Sequence, residues 1–363
     1  MEETTVFKKL FIVAVVVISI IAIPKGAKSW LKSLLPDKAH FAAIKQTKIS
    51  DLQYVTEDIP EYRGKILAVV TSVDSMGEDK PTGYEHTELA RAYFVFIANG
   101  FDVDIASPQG GKPPVVYDDE DMGEYDYAFI NDAFIQNKVA HSIPLAEINP
   151  DDYEAVYFVG GKGTMFDFPD NKDIKRIAKS LYQNNKVVSA VCHGPAALIN
   201  VTLDNGVALL SNKKISGFTN EEELTLIPDA KDIFPFLLED KLIEQGAQFK
   251  SGANYLEQVS QDGKIITGQN PWSVWRMAEM VVAEIGYQPK ARMRTPEEFA
   301  VDLLIVYQNQ GYEAALTHLR ARPDSIQKIL LVMHGVMAFM QFEIGNGIDI
   351  FKLAVELKNL TKT

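Results

Sequence analysis

The chain contains one cysteine, Cys192, in 363 residues. That scarcity excludes an intrachain disulfide and any zinc site built from several cysteines. Positive charge is also in deficit: 36 Lys and Arg stand against 49 Asp and Glu, a net charge of -13. No basic face is on offer to track a phosphate backbone, so nucleic acid is not an expected partner. The composition of a disordered chain is missing too. Hydrophobic residues make up 47% and charged residues 23%, which is ordinary globular usage. The length suits one large domain with appendages. A lone cysteine is more often a small buried hydrophobe than a nucleophile, so its neighbours must decide.

At the N-terminus, Leu10 to Ile23 read LFIVAVVVISIIAI without a charge, flanked by Lys8, Lys9, Lys25 and Lys28. This run predicts a single-pass membrane anchor within residues 1–30. A cleaved signal peptide competes, but Ala27 is preceded two positions earlier by Lys25, so a small-x-small cleavage site is lacking. Lysines on both flanks leave the side of the membrane open. Residues 31–62 read as a linker, 63–287 as a catalytic domain, and 288–363 as a helical extension. Short apolar runs such as 66–73, 102–108, 155–161 and 186–191 predict strands, as do 213–218, 251–261 and 264–269. Helical stretches at 88–99, 173–184, 193–200 and 272–285 alternate with them. The pattern predicts an α/β fold with a parallel sheet covered by helices on both faces. Ligands then bind at the carboxyl ends of the strands. In the extension, Thr295-Pro296-Glu297-Glu298 is a capping box with proline at the first helical position. Stretches beginning at Gly311 and Gly347 are similar and lie near the tetratricopeptide period, though a plain helical cap fits equally. His334 and Gln341 make the apolar run 329–342 a bundle helix rather than a span.

Cys192 sits in Ala190-Val191-Cys192-His193-Gly194-Pro195, with a strand pattern before it and a helix pattern after. Such an elbow puts the sulfur at a helix N-terminus, where free N–H groups and the dipole favour thiolate. Gly194 supplies the small residue that the sharp turn needs. AVCHGPAAL resembles the nucleophile elbow of the ThiJ/PfpI (DJ-1/PfpI) superfamily, in its heat-shock glyoxalase and chaperone branch. Thr82-Gly83 with Glu88, GGKGTMFDFPDN (160–171), SGFTNEEE (216–223) and TGQNP (267–271) resemble further blocks of that branch, in order. The resemblance covers about residues 64–287.

It implies a flavodoxin-like, glutamine-amidotransferase-like sheet. It also implies roles: Cys192 as nucleophile, His193 as catalytic histidine, Glu223 as the acid orienting it, and Glu88 as a protonated acid beside the sulfur. Gly160, Gly161, Lys162 and Gly194 make up the expected oxyanion and substrate-binding set, with the Gly161 and His193 amides as anion donors. No metal or organic cofactor is implied. Two positions depart from the branch. Lys162 replaces a usual histidine, and Trp272 replaces a small residue, either narrowing the pocket or packing beneath the extra helices. The expected activity is a cofactor-free, glyoxalase III-like conversion of small 2-oxoaldehydes, methylglyoxal to lactate. The alternatives are a thiol hydrolase or deglycase acting on an amide-like or glycated substrate, and a membrane-tethered redox-sensing or chaperone-like stress protein. A glutamine amidotransferase does not fit, since neither His318 nor His334 has a glutamate two residues on. No matched residue lies beyond Tyr287, so the C-terminal helices are expected to serve assembly, as a homo-oligomer or partner surface, rather than chemistry.

Overall fold

The computed structural model describes residues 42–77, 80–118 and 122–361. Its main sheet has the strands β1 (Lys65–Val69), β2 (Asp102–Ser107), β3 (Ile143–Pro144), β4 (Ala155–Phe158), β5 (Val187–Val191), β6 (Val259–Asp262) and β7 (Ile265–Gly268). They lie in the order β6-β7-β5-β4-β1-β2-β3. Every pairing is parallel except the β6–β7 hairpin at one edge. Strands β4, β5 and β7 are buried along their whole length, which is why their sequences show no polar alternation. Helices α1 (His86–Ala98), α2 (Lys172–Gln183) and α4 (Val274–Ile285) pack on the sheet, and α3 (Asn220–Leu226) lies between α2 and α4 in the chain. This is the expected α/β architecture with a mostly parallel sheet.

Three local expectations change. Residues 213–218 contribute only the two-residue strand Lys214–Ile215, which pairs with Gln248–Phe249 in a separate two-stranded sheet. Residues 251–258 form no strand, because side chains take their amides: Gly252 N–H donates to Gln269 Oε1 and Tyr255 N–H to Glu222 Oε1. After Cys192 the chain forms a short 3-10 helix, Gly194–Leu198, instead of an α-helix over 193–200.

Beyond Tyr287 the chain is helical: α5 (Pro296–Gln310), α6 (Tyr312–Ala321), α7 (Lys328–Met340) and α8 (Ile344–Leu360). Thr295 and Glu298 form the capping box that starts α5. The helices pack as two successive hairpins, α5–α6 and α7–α8. Gly311 precedes α6 and Gly347 lies in the first turn of α8, so the two similar stretches fall in the second helix of each hairpin. Their apolar faces form a core of their own, which also takes in Leu256 and Trp272 from the α/β part.

The expectation of a single-pass membrane protein is corrected. Among the described residues no helix is long and apolar enough to cross a membrane. The run Leu10 to Ile23 itself lies outside the described residues.

A buried ionic junction ties the extension to α4. Arg292, with only 4% of its side chain exposed, pairs with Glu279 at 2.8 Å and Glu298 at 2.5 Å, and its guanidinium lies 4.3 Å from the Trp275 ring. Removing one partner of a buried pair leaves charge without compensation, at a cost of about 3–5 kcal/mol. Arg292→Ala is therefore expected to lower unfolding stability by about that amount in urea titrations, far more than the loss of an exposed ion pair.

Candidate active site

The strand register sets the elbow. Val191 ends β5 opposite Gly268 of β7, and Ala190 lies opposite Phe158 of β4, so Cys192 emerges at the carboxyl ends of the central strands. Its φ is +56°, in the left-handed region that side chains rarely occupy. Two hydrogen bonds hold it there: Cys192 N–H donates to Gly268 O at 3.0 Å, and Phe218 N–H donates to Cys192 O at 2.9 Å. Gly194 is required for room. A Cβ there would stand 2.3 Å from the Phe158 carbonyl oxygen.

Four separate sequence blocks meet around the sulfur. Sγ lies 3.2 Å from His193 Nδ1, and His193 Nε2 lies 2.5 Å from Glu223 Oε2. With Nε2–H donating to the carboxylate, Nδ1 faces the thiol as an acceptor. The imidazole is further seated against Phe218, with ring centroids 4.7 Å apart. Burial acts to raise the Glu223 pKa, but the attraction and hydrogen bond of His193, with Lys162, hold it below the usual carboxyl range. Of the three consecutive glutamates, Glu221 is exposed, while Glu222 and Glu223 are buried. The register expected from the resemblance therefore places Glu223, and neither neighbour, on the histidine.

Glu88 comes from the first turn of α1 and is fully buried. The Tyr157 hydroxyl on β4 donates to its carbonyl at 2.8 Å, fixing the turn. Burial, then the charge of Glu85, push the Glu88 carboxyl well above its usual range, while its contact with Cys192 acts the other way. Gly160 N–H donates to Glu88 Oε2 at 2.7 Å. The Gly160 amide is thus engaged by Glu88. Gly194 serves by its lack of a side chain. The Gly161 and His193 amides find no acceptor among the described residues. Gly161, at φ +108°, is turned by the bond of Thr164 Oγ1–H to its carbonyl. Lys162 is half-buried, and its charge reaches both Cys192 and Glu223.

The acidity of the thiol is also corrected. The five-residue 3-10 helix offers less dipole than the expected α-helix. Cys192 is only 6% exposed. Burial first, then the Glu88 carboxyl, push the thiol well above its usual range, with Lys162 pulling it back. Two adjacent buried anions cannot coexist near neutral pH, so Cys192 and Glu88 share at most one negative charge.

Trp272 packs beneath the extra helices, with the Arg91 guanidinium 4.7 Å from its ring, which decides between the two readings of that departure. Sequence reasoning missed Glu222 and the aromatic seat of His193. For Glu222 a signal was present: Thr219-x-x-Glu222 is a capping box, and the structure forms it.

Known proteins show clear likeness to this chain. A family model described as the DJ-1/PfpI family matches residues 81–284 and stops before α5. Glyoxalase 3 of Candida albicans is 33% identical over 239 residues, covering 60% of this chain and 97% of that protein. A glutathione-independent glyoxalase of Saccharomyces cerevisiae is 32% identical over 224 residues, covering 58% of this chain and 92% of that one. The solved structure of the Rapid Encystment Protein 24 kDa of Francisella tularensis matches with a TM-score of 0.59 at 36% identity, over 62% of this chain and 100% of that one.

The burial argument is checked by the pH dependence of iodoacetamide labelling. Its midpoint is expected above about 8.5, the value of a free thiol. Glu88→Gln removes the competing carboxyl charge and should lower that midpoint. An unchanged midpoint in the variant would show that Glu88 contributes no charge beside the sulfur.

Proposed function

The chain belongs to the DJ-1/PfpI family, and we propose that it is a cysteine-dependent, glutathione-independent glyoxalase converting small 2-oxoaldehydes such as methylglyoxal to 2-hydroxy acids such as lactate. The observation that carries this reading is the Cys192–His193–Glu223 relay beside Glu88. The names of the two fungal relatives point the same way. Within the α/β architecture we read residues 63–287 as the catalytic unit, with a glutamine-amidotransferase-like topology, and 288–363 as its extension.

In the reactive state the one negative charge resides on sulfur and the shared proton on Glu88. The thiolate adds to the aldehyde carbon, and the new oxyanion is met by the Gly161 and His193 N–H groups and by the positive charge of Lys162. His193 takes the proton from that carbon and returns it to the former ketone carbon through an enediol, with Glu223 stabilising the imidazolium. One carbon is oxidised as its neighbour is reduced, so no external oxidant enters. The result is a 2-hydroxy thioester, which water hydrolyses to the acid and the free thiol. Burial of Cys192 restricts the reaction to small substrates. It also opposes the alternative of a redox sensor, which needs an accessible thiol.

The test is methylglyoxal consumption and lactate formation without glutathione. Cys192→Ser and His193→Ala are each expected to remove at least about a thousandfold of kcat/KM, as members of one unit. Lys162→Glu should cost at least about tenfold by opposing the oxyanion, while Lys162→His should keep or raise turnover. No lactate from the wild-type protein would end the glyoxalase reading. Wild-type rates in Lys162→Glu would remove Lys162 from it.

A further inference from the structure

Glu222 has no part in the relay, yet its carboxylate is a junction. Oε2 accepts from the Thr219 N–H at 3.0 Å and its hydroxyl at 3.1 Å. Oε1 accepts from the Tyr255 N–H at 2.6 Å, Gln269 Nε2 at 3.0 Å and Asn270 Nδ2 at 3.1 Å. The Tyr255 hydroxyl closes the junction by donating to the Glu222 carbonyl at 2.7 Å. These donors come from three separate stretches of chain.

The partners of Glu222 lead to the C-terminal helices. Asn270 Nδ2 also donates to Leu256 O at 2.7 Å, and Asn270 Oδ1 accepts from Trp272 N–H at 3.2 Å. Leu256 and Trp272 are the two residues of the α/β part buried in the apolar core of α5 to α8. Gln341, at the end of α7, adds a contact of 3.4 Å to Thr225 on α3. The extension therefore bears on the residues that flank each side of the Glu222 junction.

Helix α3 spans seven residues and has little stability of its own. Its rotation about its axis decides whether the Glu223 carboxylate meets His193. Glu222, one position earlier, is bonded into the protein on both oxygens and sets that rotation. We infer that Glu222 is a positioning residue through which the C-terminal helices hold Glu223, and with it the His193 ring, in line with Cys192. The inference rests on the relay proposed above. It reverses the expectation that these helices stand apart from chemistry.

The full chain carries the test, with two readouts. One is kcat and KM for methylglyoxal. The other is the downfield proton resonance of the His193 Nε2–H bonded to Glu223, assigned by its loss in His193→Ala, which needs no substrate. Glu222→Gln keeps the shape but replaces one acceptor oxygen by a donor, so that either the Thr219 donors or those of Tyr255, Gln269 and Asn270 face an N–H. It is expected to lower kcat at least about tenfold with KM within about twofold, since a misplacement of about 1 Å can cost a hundredfold. The resonance should move upfield or broaden. Trp272→Leu leaves the carboxylate intact, thins the packing under the helices, and should produce smaller losses in the same two readouts. Wild-type kcat and resonance in Glu222→Gln, or a Trp272→Leu protein indistinguishable from wild type, would each overturn the inference. Absence of methylglyoxal turnover in the wild-type protein would instead strike the glyoxalase reading, and the resonance would still decide the role of Glu222.

Discussion

The left-handed turn at Cys192 is the constraint around which the site is arranged. A side chain there is uncomfortable, and the surrounding structure must hold it. The holding is done by main chain: β7 supplies the carbonyl of Gly268, and the segment before α3 supplies the N–H of Phe218. Because Phe218 is both a backbone clamp on Cys192 and an aromatic wall for His193, one residue positions two members of the relay. Gly194 lets the chain leave the elbow directly over the end of β4, and the Gly160–Gly161 turn follows that strand. The placement of the sulfur, of the Gly161 and His193 amides and of the contact with Glu88 thus follows from one backbone conformation at the carboxyl end of a buried strand.

Charge in the site is rationed by burial. Glu88, Glu222 and Glu223 all lie out of water close to the sulfur, and each is treated differently. Glu88 is left with a high proton affinity beside the thiol. Glu223 faces His193 and Lys162 and stays ionised more readily than a free carboxyl. Glu222 is surrounded by five hydrogen-bond donors, yet burial still holds its pKa above the usual range. Three acids of similar type are thereby given different proton affinities through their surroundings alone.

Much of the plan was legible in the sequence. Buried strands announce themselves as unbroken apolar runs, and the capping box at Thr295 marks the start of α5 to the residue. The elbow was legible because its chemistry demands particular residue types side by side. What escaped was decided by distant partners. The stretch 251–258 has strand-like residues, but Gln269 and Glu222 claim its amides. Glu222 displays only its local capping role, while its bonds to Gln269 and Asn270 depend on how α3 docks against the end of β7. The acidity of Cys192 was misjudged because an elbow motif reports the start of a helix and says nothing of its length or of the water left around the sulfur.

The positive φ of Cys192 has a consequence for how the protein tolerates change. Glycine occupies that conformation freely, whereas a side chain costs on the order of 1 kcal/mol or more. A glycine at this position would relax the elbow's backbone as it discarded the sulfur. The fold and the reaction therefore make opposed demands on a single position. A search that rewards thermal tolerance alone would drift toward an inert scaffold, and only a screen that also scores turnover would keep the cysteine.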